Sequence, residues 1–513
     1  MKTLRDMWLA AAAGNPRQAA IADERVEWEY AALLDRAMRL ADALGRAGVR
    51  PGDRVAMLAM NRAEWIEFYA ACNMAGFIAT TVNFRLAAPE VRAILADCEA
   101  SVLIHEAQYA AMIERIAPDL ATPLLRLCLS DESGGENSYE PFLLGGDPAA
   151  LPTAAIRSED YAHLIYTSGT TGRPKGVLRT HGAEVSNGRS LALALEMRSD
   201  RALLLMMPLF HIGALAELHG QVMARGTIVL QRKYVPAETA RLIAARRIGA
   251  THMAPTMVQA LLDEPGIADH DLSSLRTLCY AAAPMPVPLL KRGMALLGAI
   301  FIDCYGSTEM GATTVLAKPA HRLEGPDEQV ARLGSVGQML PQGEMRIVDE
   351  EGRLCPPGGV GEIMVRSDAN FAAYWNNHAE TLRAVRDGWF ATGDMGYLDA
   401  EGYLFLVDRK KDMIVSGGEN IYCREVEEAL ITHPAVSDVA VIGVPDEYWG
   451  ETVKAVIVPM PGERPSLDDL VAHCEQRIAR YKRPRHVELV EELPRLPSGK
   501  VSKVALRERA GKA

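Results

Sequence analysis

The chain has no cysteine pair in a CxxC arrangement, no apolar run long enough to span a bilayer (about 18 residues) and no excess of positive charge. Its eight cysteines are scattered over 513 residues. That spacing fits a reducing cytoplasm and argues against structural zinc. A net charge of −11 argues against nucleic acid as a bulk electrostatic partner. The N-terminal MWLAAAA is short and follows Arg5 and Asp6, so it reads as a surface helix rather than a signal peptide or a transmembrane segment. Internal repeats and long low-complexity tracts are missing as well. What remains has globular proportions, 49% apolar and 24% charged. Its length exceeds what one hydrophobic core serves, which is the ordinary expectation for a large multidomain enzyme.

The most informative short stretch is YTSGTTGRPKGV, Tyr166 to Val177. Its glycines let a backbone approach a ligand closely. The hydroxyls of Thr167, Ser168, Thr170 and Thr171 donate without adding negative charge, and Lys175 adds a mobile cation. Together these suit a polyphosphate. YAHLIY before it reads as a buried strand and the stretch after His181 as a helix, which puts the loop at a strand end. It is not a Walker A loop, because Lys175 is preceded by Pro174 and followed by Gly176.

Strand and helix patterns alternate along the first part of the chain. DRVAMLAM is followed by an amphipathic stretch to Met74 and then GFIATTVN; GTIVLQR, ETARLIAARRIGA and THMAP repeat the order, as do RTLCYAA, VPLLKRGMALLG and AIFIDCYG. The fold class expected is α/β, with doubly wound, mostly parallel sheets and ligand loops at the strands' carboxyl ends. Between about residues 334 and 408 short strands such as EMRIVD, GEIMVRS and GYLFLV predict a small β subdomain. The chain after DRKKD predicts a compact α+β domain, giving expected domains of 1–410 and 411–513.

Five stretches in order, YTSGTTGRPKGV, YGSTE (Tyr305 to Glu309), TGD (Thr392 to Asp394), DRKKDMIVSGGENIY (Asp408 to Tyr422) and PSGK (Pro497 to Lys500), closely resemble the adenylate-forming superfamily. The likeness is to its acyl-CoA synthetase branch of fatty-acid and aryl-acid CoA ligases, and covers nearly the whole chain. It implies two half-reactions. A carboxylate attacks the α-phosphate of ATP to give acyl-AMP and pyrophosphate, and a thiol then displaces AMP. By this resemblance Thr167, Ser168, Gly169, Thr170, Thr171 and Lys175 cradle the β- and γ-phosphates, Glu309 holds Mg²⁺ and Thr308 touches the α-phosphate. Asp394 and Arg409 meet the ribose, adenine lies against Ala282, Ala283 and Tyr305 with Asp303 near its amino group, and Gly306 is a further nucleotide-binding position. Lys500 swings in from a mobile C-terminal domain about a hinge at Lys411 to bridge the acyl carboxylate and the α-phosphate. Gly417 and Gly418 border the pantetheine path of coenzyme A, although a plain Gly-Gly turn explains the pair equally well.

MPLFHIGAL bears on the acid. Amino-acid-activating relatives carry an Asp where this chain has His211, so a substrate ammonium is not expected. His211 resembles the gate of acyl-CoA and aryl-CoA ligases, and AAAPMP with GSTEMGATT supplies a small or apolar lining apart from Glu309. The expectation is an ATP-dependent, AMP-forming ligase for a hydrophobic monocarboxylic acid, with catalytic residues Lys500, Glu309, Thr167 and His211 and with ATP, Mg²⁺ and coenzyme A. With no carrier domain expected after Ala513, free coenzyme A rather than a tethered thiol is the expected acceptor, and a homodimer is compatible with this picture. The alternatives left open are an enzyme loading a separate carrier protein, a catalytically silent nucleotide-binding protein and a luciferase-like oxygenase.

Overall fold

The computed structural model describes residues 1–130, 137–150, 155–167, 174–281, 285–410, 412–416, 419–446, 449–475, 477–496 and 499–511, with the side chains of Arg409 and Glu419 outside the description. The chain divides into two compact units. One comprises Met1–Gly169, Arg173–Glu344 and Val365–Phe390, and the other Met345–Met364 with Ala391 to the C-terminal end.

The first unit holds two large sheets. A seven-stranded sheet runs in the order Ala373–Tyr374, Lys175–Thr180, Tyr161–Thr167, Ile78–Thr81, Arg54–Leu58, Val102–Glu106, Leu125–Leu129. Its strands from Tyr161–Thr167 to Leu125–Leu129 are parallel, and the other two continue it antiparallel. A nine-stranded sheet has a parallel run through Thr277–Ala281, Ile248–Met253, Ala202–Leu205 and Ile228–Leu230, with Phe301–Ser307 parallel to Thr277–Ala281. Parallel strands need helical crossovers that cover both faces, so these strands are apolar almost throughout. Val102–Glu106 and Ile248–Met253, for example, are buried at every position.

One hydrophobic cluster joins residues of both sheets (Val55, Ile104, Leu203, Ile228) to the helices Glu64–Ala75 and Ile212–Met223. This contradicts the amphipathic reading of the stretch ending at Met74. Every residue of Glu64–Ala75 is buried, because the helix packs between layers and has no solvent side. Its two acids are paired accordingly: Glu64 with Arg62 and Arg25, Glu67 with Arg36 and the Tyr139 hydroxyl. The N-terminal helix, Leu4–Gly14, likewise buries Leu4, Met7, Trp8, Ala11 and Ala12.

In the second unit the strands Val436–Asp446 and Gly450–Pro459 form a long antiparallel ribbon, flanked by Ile414–Ser416, Glu419–Ile421 and His486–Leu489. The helix Cys423–Ile431 covers one face around Val426 and Leu430; Leu506, on the helix Lys503–Ala510, packs with Ala440, Ile442 and Val456 in a separate cluster. A five-stranded sheet comprises Gly343–Val348, Gly361–Ser367, Trp389–Leu398 and Val385–Arg386 in that order, with Leu404–Arg409 paired to Trp389–Leu398.

Candidate active site

The phosphate-loop sequence is carried on an antiparallel hairpin. Tyr161–Thr167 leads in, Lys175–Thr180 leads out, and Thr167 is the register partner of Lys175. Ser168, Gly169, Thr170 and Thr171 lie outside the described residues. The Thr167 hydroxyl donates to the Lys175 carbonyl at 3.5 Å. Lys175 is itself held on two sides, by an ion pair with Glu380 and by the ring of Tyr374, whose centroid is 5.3 Å from Nζ. The Glu380 carboxyl lies below its ordinary range because Lys175 hydrogen-bonds its charged form.

YGSTE sits where Phe301–Ser307 turns back into Gly311–Leu316. Only glycine fits at Gly306, since a Cβ there would lie 2.0 Å from the Gly311 carbonyl oxygen. Beyond it, the Glu309 carbonyl accepts from the Phe371 N–H at 2.6 Å and its Oε1 accepts from the Tyr374 hydroxyl at 2.9 Å. Tyr374 therefore touches both Glu309 and Lys175, which brings two of the expected site residues to one place. With Oε1 engaged by a neutral donor and Oε2 accepting no hydrogen bond among the described residues, the carboxylate suits a hard cation that takes further ligands from phosphate oxygens, as Mg²⁺ does.

Behind this turn lies a buried charge network absent from the sequence reading. Arg179 is fully buried and donates to the Thr308 carbonyl and the Ala369 carbonyl, each at 2.9 Å. Its Nε pairs with Glu184, which also has His163 Nδ1 at 3.6 Å and His219 Nδ1 at 3.4 Å. The two imidazoles are stacked 5.4 Å apart. Burial alone would raise the Glu184 pKa, but Arg179 and the imidazoles outweigh it and hold the carboxyl well below its ordinary range. The residues were legible only as polar letters in strand and helix patterns: His163 in YAHLIY, Arg179 in KGVLRT, His219 in ALAELHG.

Asp303 and Tyr305 lie on Phe301–Ser307, Asp303 beside Tyr280 and Tyr305 beside Thr314. Ala282 and Ala283 fall outside the described residues. His211 caps the N-terminus of Ile212–Met223, its ring 4.3 Å from that of Phe210. Further along this helix is a second unforeseen group: Glu217 Oε1 meets His252 Nδ1 at 2.7 Å, and Cys279, the register partner of His252, lies beside them. A charged residue in an otherwise apolar helical stretch, as Glu217 is in HIGALAELHG, was the available signal.

In the second unit, Asp394 is buried and is the register partner of Arg409 on adjacent strands, so those two also come together. The Asp394 N–H donates to the Thr392 hydroxyl at 3.0 Å, which in turn donates to the Ile363 carbonyl at 2.9 Å. Lys500 is exposed, and its carbonyl accepts from the Leu496 N–H at 2.7 Å. Lys411, Gly417 and Gly418 lie outside the described residues. In the same unit Lys482 pairs with Glu425 and Arg483 with Glu475, while Arg485 stacks on Trp449.

The chain matches the model of the AMP-binding enzyme family over residues 8–375 and that of the AMP-binding enzyme C-terminal domain over residues 425–500. It is 38% identical over 498 residues to a feruloyl-CoA synthase of Amycolatopsis, covering 97% of each chain. It is 35% identical over 514 residues to the long-chain-fatty-acid–CoA ligase FadD13 of Mycobacterium tuberculosis, covering 99% of each. Among solved structures, it resembles the o-succinylbenzoate CoA synthetase of Bacillus subtilis in complex with its acyl-adenylate intermediate, with a TM-score of 0.86 and 30% identity over 99% of this chain and 98% of that one.

Proposed function

The chain belongs to the AMP-binding enzyme family, in the acyl-CoA synthetase branch of the adenylate-forming superfamily, and from this premise we propose that it joins a hydrophobic monocarboxylic acid to coenzyme A through an acyl-adenylate. The observation that carries the reading is the convergence of Lys175 and Glu309 on Tyr374, at the mouth of a hairpin whose loop is rich in hydroxyls.

In the first half-reaction a carboxylate oxygen bonds to the α-phosphorus of ATP, and the bond to the bridging oxygen breaks to release pyrophosphate. An anion approaching a polyanion needs charge neutralised around the transferring group. Lys175 and the threonines of the loop serve the β- and γ-phosphates, with Thr308 at the α-phosphate. Glu309 would hold Mg²⁺, which supplies charge neutralisation of the phosphates when bound. Arg179 fixes the peptide carbonyl immediately before Glu309, so the carboxylate is presented from a rigid turn. Asp394 and Arg409 serve the ribose. Lys500 serves the carboxylate and α-phosphate as negative charge builds there. In the second half-reaction the thiol of coenzyme A attacks the acyl carbonyl, its proton is lost to solvent, and AMP departs with the former carboxylate oxygen; Gly417 and Gly418 border the thiol's path.

Eight free cysteines fit a cytoplasmic site of action, and among the described residues no helix is long and apolar enough to cross a membrane. The reading is tested by incubating the protein with ATP, Mg²⁺, coenzyme A and a panel of aliphatic and aryl acids. AMP and pyrophosphate should appear in step with thioester. ADP formation, or acyl-AMP formation that stalls with coenzyme A and proceeds only with a carrier protein, would overturn it.

A further inference from the structure

We propose that the Glu217–His252 pair is a specificity site for the far end of the acyl group, favouring acids that carry a hydroxyl there over their hydrocarbon counterparts; the proposal rests on the ligase reading above. Three observations lead to it.

The first is that the pair is buried but not self-sufficient. Glu217 is 2% exposed and His252 8% exposed. Oε1 and Nδ1 lie against each other at 2.7 Å, whereas Glu217 Oε2 and His252 Nε2 have no hydrogen-bond partner among the described residues. An unsatisfied carboxylate oxygen in the interior is costly unless something arrives to satisfy it. Burial opposes a charge on the imidazole, but Glu217 and, behind it, Asp303 outweigh burial and favour the protonated ring. The pair thus offers one acceptor, Oε2, and one donor, Nε2–H. A hydroxyl has both halves of the complement, donating to the first and accepting from the second.

The second is position. His252 is one residue from the carboxyl end of its parallel strand, and Cys279 lies mid-strand on the neighbouring one as its register partner. In sheets of this kind ligands sit beyond the carboxyl ends. Solvent reaches into this layer: Cys304, Ala254 and Ala281 are partly exposed although Ile302 below them is buried.

The third is Gly213. It lies one helical turn before Glu217 and two residues from His211, and a Cβ built on it would sit 3.8 Å from His252 Cε1. A glycine at this point leaves the edge of the imidazole uncovered on the side facing the start of the helix. On this proposal the far end of the acyl group approaches the two unpartnered atoms past Gly213, where no side chain stands in its way.

The same side chains bring an oxygen, a nitrogen and a sulfur within 4.8 Å of one another, which raises a metal as the rival occupant. Without a metal the neighbouring Cys304 thiol and burial push the Cys279 thiol well up, and the zinc content of the purified protein separates the two occupants.

The test measures kcat/KM for AMP release with coenzyme A on matched acids: 4-hydroxycinnamate against cinnamate, 4-hydroxyphenylacetate against phenylacetate, and 16-hydroxyhexadecanoate against hexadecanoate. The wild type should favour the hydroxylated member of at least one pair by roughly tenfold to a hundredfold, the range for a hydrogen bond to a charged group. Glu217→Leu should bring that ratio close to one, and Glu217→Gln, which keeps the volume, should lower it partly and serves if the leucine variant fails to fold. Equal turnover of both members of every pair by the wild type would overturn the proposal while leaving the ligase reading standing. So would an unchanged ratio in a folded Glu217 variant, or one equivalent of zinc retained by the purified protein after dialysis. Failure to activate any acid would instead overturn the ligase reading itself.

Discussion

The Tyr374 hydroxyl donates to Glu309 Oε1 at 2.9 Å. Tyr374 belongs to a two-residue strand whose register partner is Val177, on the strand that begins at Lys175. The carboxylate is thus oriented by a residue clamped to the phosphate hairpin, and the distance between the cationic and anionic halves of the site is fixed by strand pairing. Such support of a ligand by a second residue commonly changes activity by about tenfold to a hundredfold when removed.

Tyr374→Phe should therefore lower pyrophosphate exchange by roughly tenfold and raise the Mg²⁺ concentration needed for half-maximal rate. The ring remains to pack on Phe371, so the melting temperature should hold. An unaltered Mg²⁺ requirement would show that Glu309 is positioned without the hydroxyl.

Arg179→Met removes the only guanidinium that reaches the Thr308 and Ala369 carbonyls in the described contacts and leaves Glu184 buried with the imidazoles alone. Breaking one side of a buried ion pair costs about 3–5 kcal/mol. Urea unfolding should report a loss of that order, and Arg179→Met with Glu184→Leu should recover part of it, because no unpaired carboxylate is then left inside. If the double variant is no more stable than the single one, the pair is not the source of the loss.

His181 gives a pH signature. Its Nδ1 accepts from the Leu4 N–H at 3.3 Å, and burial pushes its pKa down from 6.5 to about 3. The folded protein then keeps the ring neutral while the unfolded chain protonates it. Stability is consequently lost as pH falls below 6.5 and continues to fall until about 3, at up to about 1.4 kcal/mol per pH unit from this group. Glu184 adds acid sensitivity of the same sign at lower pH, since its depressed pKa stabilises the fold only while it is ionised. Chemical denaturation of wild type and His181→Gln at pH 7, 5 and 4 should show the difference between them shrinking or reversing as pH falls. A constant difference would mean that His181 titrates normally.

How much of this was readable beforehand depended on whether the signal was local. The strand before YTSGTTGRPKGV and the position of YGSTE follow from apolar runs bounded by glycines, and the strands Tyr161–Thr167 and Phe301–Ser307 lie where those runs predict, whereas the antiparallel return strand Lys175–Thr180 has no such run to mark it. Helix Glu64–Ala75 was misread because periodicity presumes a solvent side, and a helix between two sheets has none. Arg179 with Glu184, and Glu217 with His252, were invisible for a different reason. Their partners are brought together by sheet register and helix packing, such as the pairing of His252 with Cys279, and a single polar letter in an apolar stretch does not say what it will face. Glu380 and Tyr374 lie some 200 residues after Lys175, and nothing in their own surroundings marks them.

Lys500 tests the two-step reading as a whole. Among the described residues beside it, the Gly499 N–H donates to the Leu496 carbonyl at 2.8 Å and Gly499 has φ +86°. If it serves the adenylation step alone, Lys500→Ala should cut acyl-AMP synthesis by roughly a hundredfold to a thousandfold, the usual loss for one positioned donor. Supplied with presynthesised acyl-AMP and coenzyme A, the same variant should release AMP at close to the wild-type rate, because a domain that presents different residues in the two steps no longer needs this one. Single-turnover kinetics of each half-reaction on one preparation make the comparison, and the second measurement also shows that the variant is folded. Equal losses in both, at an unchanged melting temperature, would mean that Lys500 acts in both steps and that the chain after Lys411 does not alternate between them.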